Sequence, residues 1–113
     1  MIKIYHNPRC SKSRQTLAIL EEKVEQIEII KYIENPPTAK ELSEIIDLLG
    51  IEPIDLVRKH EYIWKENYSG KSLKSDDIIL IMVQNPKLIE RPIVVKNNNA
   101  VIGRPPERVL TII

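Results

Sequence analysis

Residues 2 to 6, IKIYH, alternate apolar and polar side chains and are rich in β-formers, the pattern of a strand. The alternation stops at Asn7-Pro8. From Ser13 the spacing turns helical, with Leu17, Leu20 and Val24 on one face and Ser11 or Ser13 placed to cap the start. Residues 24 to 33, VEQIEIIKYI, hold a second β-rich stretch. Strand, helix and strand within the first third predict a parallel crossover unit.

After Asn35-Pro36-Pro37, Thr38 and Glu41 have the spacing of a capping box. Leu42, Ile45, Ile46 and Leu49 then share a face, and Gly50 suits the C-terminal stop. Residues 52 to 60 read as a short helix opened by Pro53, and residues 66 to 72 as an exposed loop. Periodicity alone leaves residues 76 to 84, DDIILIMVQ, between buried strand and helix. Ser75 with Asp76 and Asp77 at the front and Asn85-Pro86 at the back favour a helix.

The runs IVVK and AVIG, separated by Asn97, Asn98 and Asn99, predict a hairpin, because asparagine tolerates left-handed backbone. A closing helix is expected from Pro105-Pro106, with Val109, Leu110 and Ile113 against the sheet. The order βαβ, helices, ββα predicts an α/β chain. Its form is a four-stranded mixed sheet of thioredoxin-like (glutaredoxin-like) order, carrying a helical insertion over about residues 36–87.

At 113 residues the chain suits one domain, residues 1–113, with a real core. Phenylalanine is absent, so Ile, Leu and Val must fill that core. A net charge of +1 supplies no field toward nucleic acid or membrane, so neither is an expected partner. The longest apolar run, Ile78 to Val83, is too short to cross a bilayer, and the N-terminal residues lack a signal-peptide pattern. A cytoplasmic monomer is expected. Two histidines and one cysteine at scattered positions give no metal-ligand spacing, and no bound cofactor is expected.

The one cysteine, Cys10, falls at the first strand-to-helix turn, where unpaired backbone N–H groups and the helix dipole favour a thiolate. A thiol of pKa near 8.5 is only about 3% thiolate at pH 7, and one lowered to ~6.5 is roughly three-quarters thiolate. A buried inert cysteine is the commoner fate of a lone thiol, but this position, with His6, Arg9 and Arg14 nearby in sequence, favours a reactive one. In Cys10-Ser11-Lys12-Ser13 a hydroxyl, Ser13, stands where a dithiol motif has its resolving cysteine. An external thiol must then regenerate Cys10, and glutathione is the natural candidate. His6 has two open roles, an imidazolium that raises the thiolate population or a hydrogen-bonding group within the turn. Arg91 and Arg104 each precede a proline, which sets rigid backbone where a site can be built. His60 reads as a surface residue. Tyr62, Trp64 and Tyr68 lie in the weakest-patterned segment.

The segments YHNPRCSKSRQTL (5–17), YIENPPT (32–38), LVRKHE (56–61), RPIVV (91–95) and GRPPERVL (103–110) follow one another over nearly the whole chain. Together they resemble the thioredoxin-fold arsenate reductases that depend on glutathione and glutaredoxin. The resemblance implies that Cys10 is the nucleophile and that Arg58, Arg91 and Arg104 form an oxyanion site. It further implies that His6 influences the cysteine, with Ser13 and Arg14 in support, and that Pro92 is the family's cis-proline. Arsenate, glutathione as co-substrate and glutaredoxin are the implied partners. Guanidinium groups suit such a substrate, because they bind tetrahedral oxyanions through forked, charge-assisted hydrogen bonds. The chain departs from the family's best-known members at Ser11-Lys12, which replace a smaller Gly-Thr pair and add a cation. Two alternatives stand beside a reductase: a glutathione-dependent thiol oxidoreductase without arsenate activity, and a Spx-like redox regulator that binds RNA polymerase.

Overall fold

The computed structural model describes residues 1–24 and 26–113. The chain divides into two compact units, residues 1–35 with 91–113, and residues 36–90. The first unit holds β1 (Ile2–His6), α1 (Ser11–Lys23), β2 (Ile27–Lys31), β3 (Ile93–Lys96) and β4 (Asn99–Ile102). The strands form one sheet in the order β2-β1-β3-β4, with β1 parallel to β2 and antiparallel to β3. This is the expected α/β, four-stranded, thioredoxin-like arrangement. Of the stretch expected to be β-rich, residue 25 lies outside the described residues.

As an inner strand, β1 is covered on both faces: Ile2 and Ile4 are buried on one side and Tyr5 on the other. Ile2 and Ile4 form a core with Leu20 of α1, Val94 of β3 and Val109, against which Leu17, Val24, Val101 and Ile113 pack. Burying each such side chain contributes about 1.5–3 kcal/mol. The hairpin is tighter than three asparagines suggest, because Asn99 pairs with Lys96 as part of β4. The turn is therefore Asn97-Asn98, with Asn97 at φ 55°. The closing segment is a 3-10 helix, Pro106–Thr111, rather than an α-helix. Its tighter winding buries Val109 but turns Leu110 outward at 48% exposure, which corrects the expectation that Leu110 packs on the sheet.

The second unit contains α2 (Ala39–Leu49), α3 (Tyr62–Asn67) and α4 (Ser75–Gln84), with 3-10 turns at Pro53–Leu56 and Pro86–Leu88. The capping box of α2 is formed: Thr38 Oγ1 accepts from the Glu41 N–H at 3.1 Å, and Glu41 Oε1 accepts from the Thr38 N–H at 3.0 Å. Gly50 closes α2 at φ 69°, a conformation that L side chains rarely adopt. In α4 the buried positions are Ile78, Ile79, Ile81 and Met82, with Leu80 exposed, so the run has the period of a helix rather than a strand. Helix α3 runs into the segment expected to be a loop. Its Trp64 is buried, with the Tyr68 ring centroid 5.6 Å away, while Tyr62 is exposed. Val57 and Ile89 form an antiparallel bridge, in which Arg58 N–H donates to Leu88 O at 2.7 Å.

Candidate active site

Cys10 is itself the N-cap of α1, in extended backbone at φ −96° and ψ 123°, so neither Ser11 nor Ser13 caps the helix as expected. Ser13, at the third helical position, directs its side chain elsewhere. Its Oγ lies 2.6 Å from Nδ1 of His6, a buried contact, and accepts from the part-buried Asn7 N–H at 3.0 Å.

Asn7 organises the loop between β1 and α1 through three groups. Its N–H is held by Ser13, its carbonyl accepts from the Cys10 N–H at 3.0 Å, and its Oδ1 accepts from the Arg9 N–H at 3.0 Å. Arg14 completes the loop by donating from Nη1 to Pro8 O at 2.9 Å. Asn7 is the member of the site that the sequence reading missed. The signal was available, since asparagine before proline often folds its side chain onto the following backbone.

The arginines that precede prolines come to the sulfur. Arg104 donates from Nη2 to Cys10 Sγ at 3.4 Å and from Nε to Arg91 O at 2.7 Å. The Arg91-Pro92 peptide is cis, as the resemblance implies for Pro92, and the Arg104-Pro105 peptide is cis as well.

Burial, the largest single influence, pushes the Cys10 thiol up, but the Ser13 N–H, a hydrogen bond from Arg91 and the charges of Arg91 and Arg104 together hold it below its ordinary value. The Ser13 N–H belongs to the first turn of α1, so its pull on the sulfur is that of a backbone donor at a helix start. Burial and the cations Lys31 and Arg14 lower His6, against an opposing pull from Glu21. His6 is therefore a neutral imidazole near pH 7. Of its two open roles, the geometry matches the hydrogen bond within the turn.

Arg58 belongs to the helical unit. Its Nε donates to Glu61 Oε2 at 3.3 Å and its Nη1 to Glu90 Oε1 at 3.1 Å, with Nε2 of exposed His60 3.0 Å from Nη2. Ser11 and Lys12 are exposed at the start of α1. Among the described residues no group of three His, Cys, Asp or Glu side chains is placed to hold a metal ion. Among them, too, no helix is long and apolar enough to cross a membrane.

This arrangement combines a thiol held below its ordinary pKa with two guanidinium groups, the requirements for nucleophilic attack on an oxyanion. Residues 5–112 match the model of the ArsC family. The chain is 49% identical to YfgD of Escherichia coli, over 99% of this chain and 96% of that one. It is 40% identical to an arsenate reductase of Neisseria meningitidis, over 96% and 94% of the two chains. The solved structure of an arsenate reductase from Vibrio cholerae superposes with a TM-score of 0.95 at 47% identity, covering 99% of this chain and 97% of that one.

Proposed function

The chain belongs to the ArsC family, and from that premise we propose that it reduces arsenate to arsenite, with Cys10 as the nucleophile and glutathione and glutaredoxin as reductants. The observation that carries the reading is the 3.4 Å contact from Arg104 Nη2 to Cys10 Sγ. It sets a cation beside the nucleophile, where an incoming anion must also lie.

The Cys10 thiolate attacks arsenic, an S–As bond forms, and an oxygen of arsenate leaves as water after taking up protons. The thiolate of glutathione then attacks the Cys10 sulfur. The S–As electron pair passes to arsenic, which falls from the +5 to the +3 state and departs as arsenite. One arsenic acid and two thiols thus give one arsenious acid, one mixed disulfide and one water. Glutaredoxin takes the glutathionyl group from Cys10 and restores the thiol.

Arg91 and Arg104 serve both halves of the cycle. They stabilise the attacking thiolate and the charge that builds on arsenate oxygens, and such preorganised cations need no reorientation as the reaction proceeds. The buried Ser13 hydroxyl cannot resolve a disulfide, which leaves that step to an external thiol and fits a reducing compartment such as the cytoplasm. To Arg58 the family resemblance gives a further oxyanion contact, and a raised KM for arsenate in Arg58→Ala is the expected sign of it. Omitting glutathione and glutaredoxin one at a time from an arsenite-forming assay tests the reductants. Full turnover without either one excludes it.

A further inference from the structure

Thr16 lies within α1, and its side chain is fully buried. Its Oγ1 is 2.8 Å from Lys12 O in the preceding turn and 3.4 Å from Gly103 O, 87 residues away in sequence. Gly103 in turn donates its N–H to Pro92 O at 2.9 Å and is followed directly by Arg104. Its backbone φ is not in the left-handed region, so turn geometry does not explain a glycine here. Space does. A Cβ at residue 103 would lie 2.6 Å from Thr16 Oγ1, 3.0 Å from Thr16 Cγ2 and 2.9 Å from Pro92 Cγ.

We propose that Thr16 and Gly103 are positioning residues, which press the Arg104 segment against α1 and so fix the distance from the Arg104 guanidinium to the Cys10 sulfur. The coupling is short. Cys10 caps the helix that carries Thr16, Arg104 is bonded to the residue that Thr16 touches, and the Arg104 side chain closes the circuit at 3.4 Å from Sγ. Arg91 follows, because its carbonyl accepts from Arg104 Nε and Pro92 holds the Gly103 N–H. Added bulk between Thr16 and Gly103 separates these segments and withdraws the guanidinium groups from the thiolate. Charge-assisted contacts of this kind are sensitive to a few tenths of an ångström.

The inference deepens the reductase reading and rests on it for its consequence, but its test does not need arsenate. The pH dependence of Cys10 alkylation gives the thiol pKa in wild type, Gly103→Ala and Thr16→Ala/Gly103→Ala, with circular dichroism to establish folding. We expect Gly103→Ala to raise the thiol pKa by about one unit, roughly a tenfold loss of thiolate below the pKa. The double variant, which removes both contacts from Thr16, is expected to recover part of that loss. A folded Gly103→Ala with the wild-type thiol pKa overturns the proposal, as does a double variant no better than the single. Should Gly103→Ala not fold, Thr16→Ile adds bulk at the same contact from the side of α1. It must raise the thiol pKa where Thr16→Ser does not, and equal values in both overturn the proposal. An altered thiol in a protein that fails to reduce arsenate would refute the substrate and leave the positioning role standing.

Discussion

His6 Nδ1 and Ser13 Oγ lie 2.6 Å apart in the interior, so the residue at the resolving position of a C-x-x-C motif is here a structural tie. Ser13 also takes the Asn7 N–H and presents its own N–H toward the sulfur. One side chain thus joins the end of β1, the loop and the start of α1.

Removing that tie strands polar groups. Ser13→Ala leaves His6 Nδ1 without this partner and the Asn7 N–H without its acceptor, in surroundings where an unmet hydrogen bond costs about 1–3 kcal/mol. A loss of this size in urea unfolding is expected, and no loss would show that water replaces the hydroxyl.

The two guanidinium groups at the sulfur have separable effects. Arg104→Ala removes a direct contact to Sγ, and Arg91→Ala removes a hydrogen bond and a charge. At ~1.5–3 kcal/mol for a charged hydrogen bond, each is expected to lower kcat/KM roughly ten- to hundredfold. Each should also raise the thiol pKa, which alkylation rates against pH record. Lysine in place of Arg104 is expected to restore the thiol better than the turnover, because it keeps the charge and loses the fork.

Burial of neutral His6 makes stability depend on pH with a definite sign. The folded-state value lies below the ordinary 6.5 of the unfolded chain, so in that window the unfolded state binds more protons. Stability is then complete above 6.5 and falls as pH drops through the lowered folded value. Urea unfolding of wild type and His6→Gln across this range should show the extra slope in wild type alone. Parallel curves would place the proton elsewhere.

The capping box offers a test remote from chemistry. Thr38→Ala removes the acceptor for the Glu41 N–H and is expected to cost about 1 kcal/mol in chemical denaturation. Thr38→Ser should cost much less.

Much of this molecule was legible because local signals agreed with the fold. Thr38, Glu41 and Gly50 mark the two ends of α2, and Asp76 with Asn85-Pro86 frames α4. Helix α3 escaped notice because its first turn carries no acidic residue and its N-cap makes no side-chain bond. The closing segment has helical spacing too short to separate α from 3-10 winding, which decides whether Leu110 faces in or out. At the site, Cys10 announced itself by its place at a strand-to-helix turn. Arg91 and Arg104 stood out by their prolines, whereas their approach to the sulfur depends on contacts between segments some ninety residues apart. Asn7 and Gly103 matter through backbone hydrogen bonds and missing volume, which no periodicity records.

The most direct measurement is arsenite formation from arsenate with glutathione, glutaredoxin, glutathione reductase and NADPH, comparing wild type with Cys10→Ser. The reductase mechanism requires arsenate-dependent turnover in wild type and its loss to background in Cys10→Ser. Turnover that survives in Cys10→Ser, or folded wild type whose Cys10 accepts glutathione yet forms no arsenite, would contradict it.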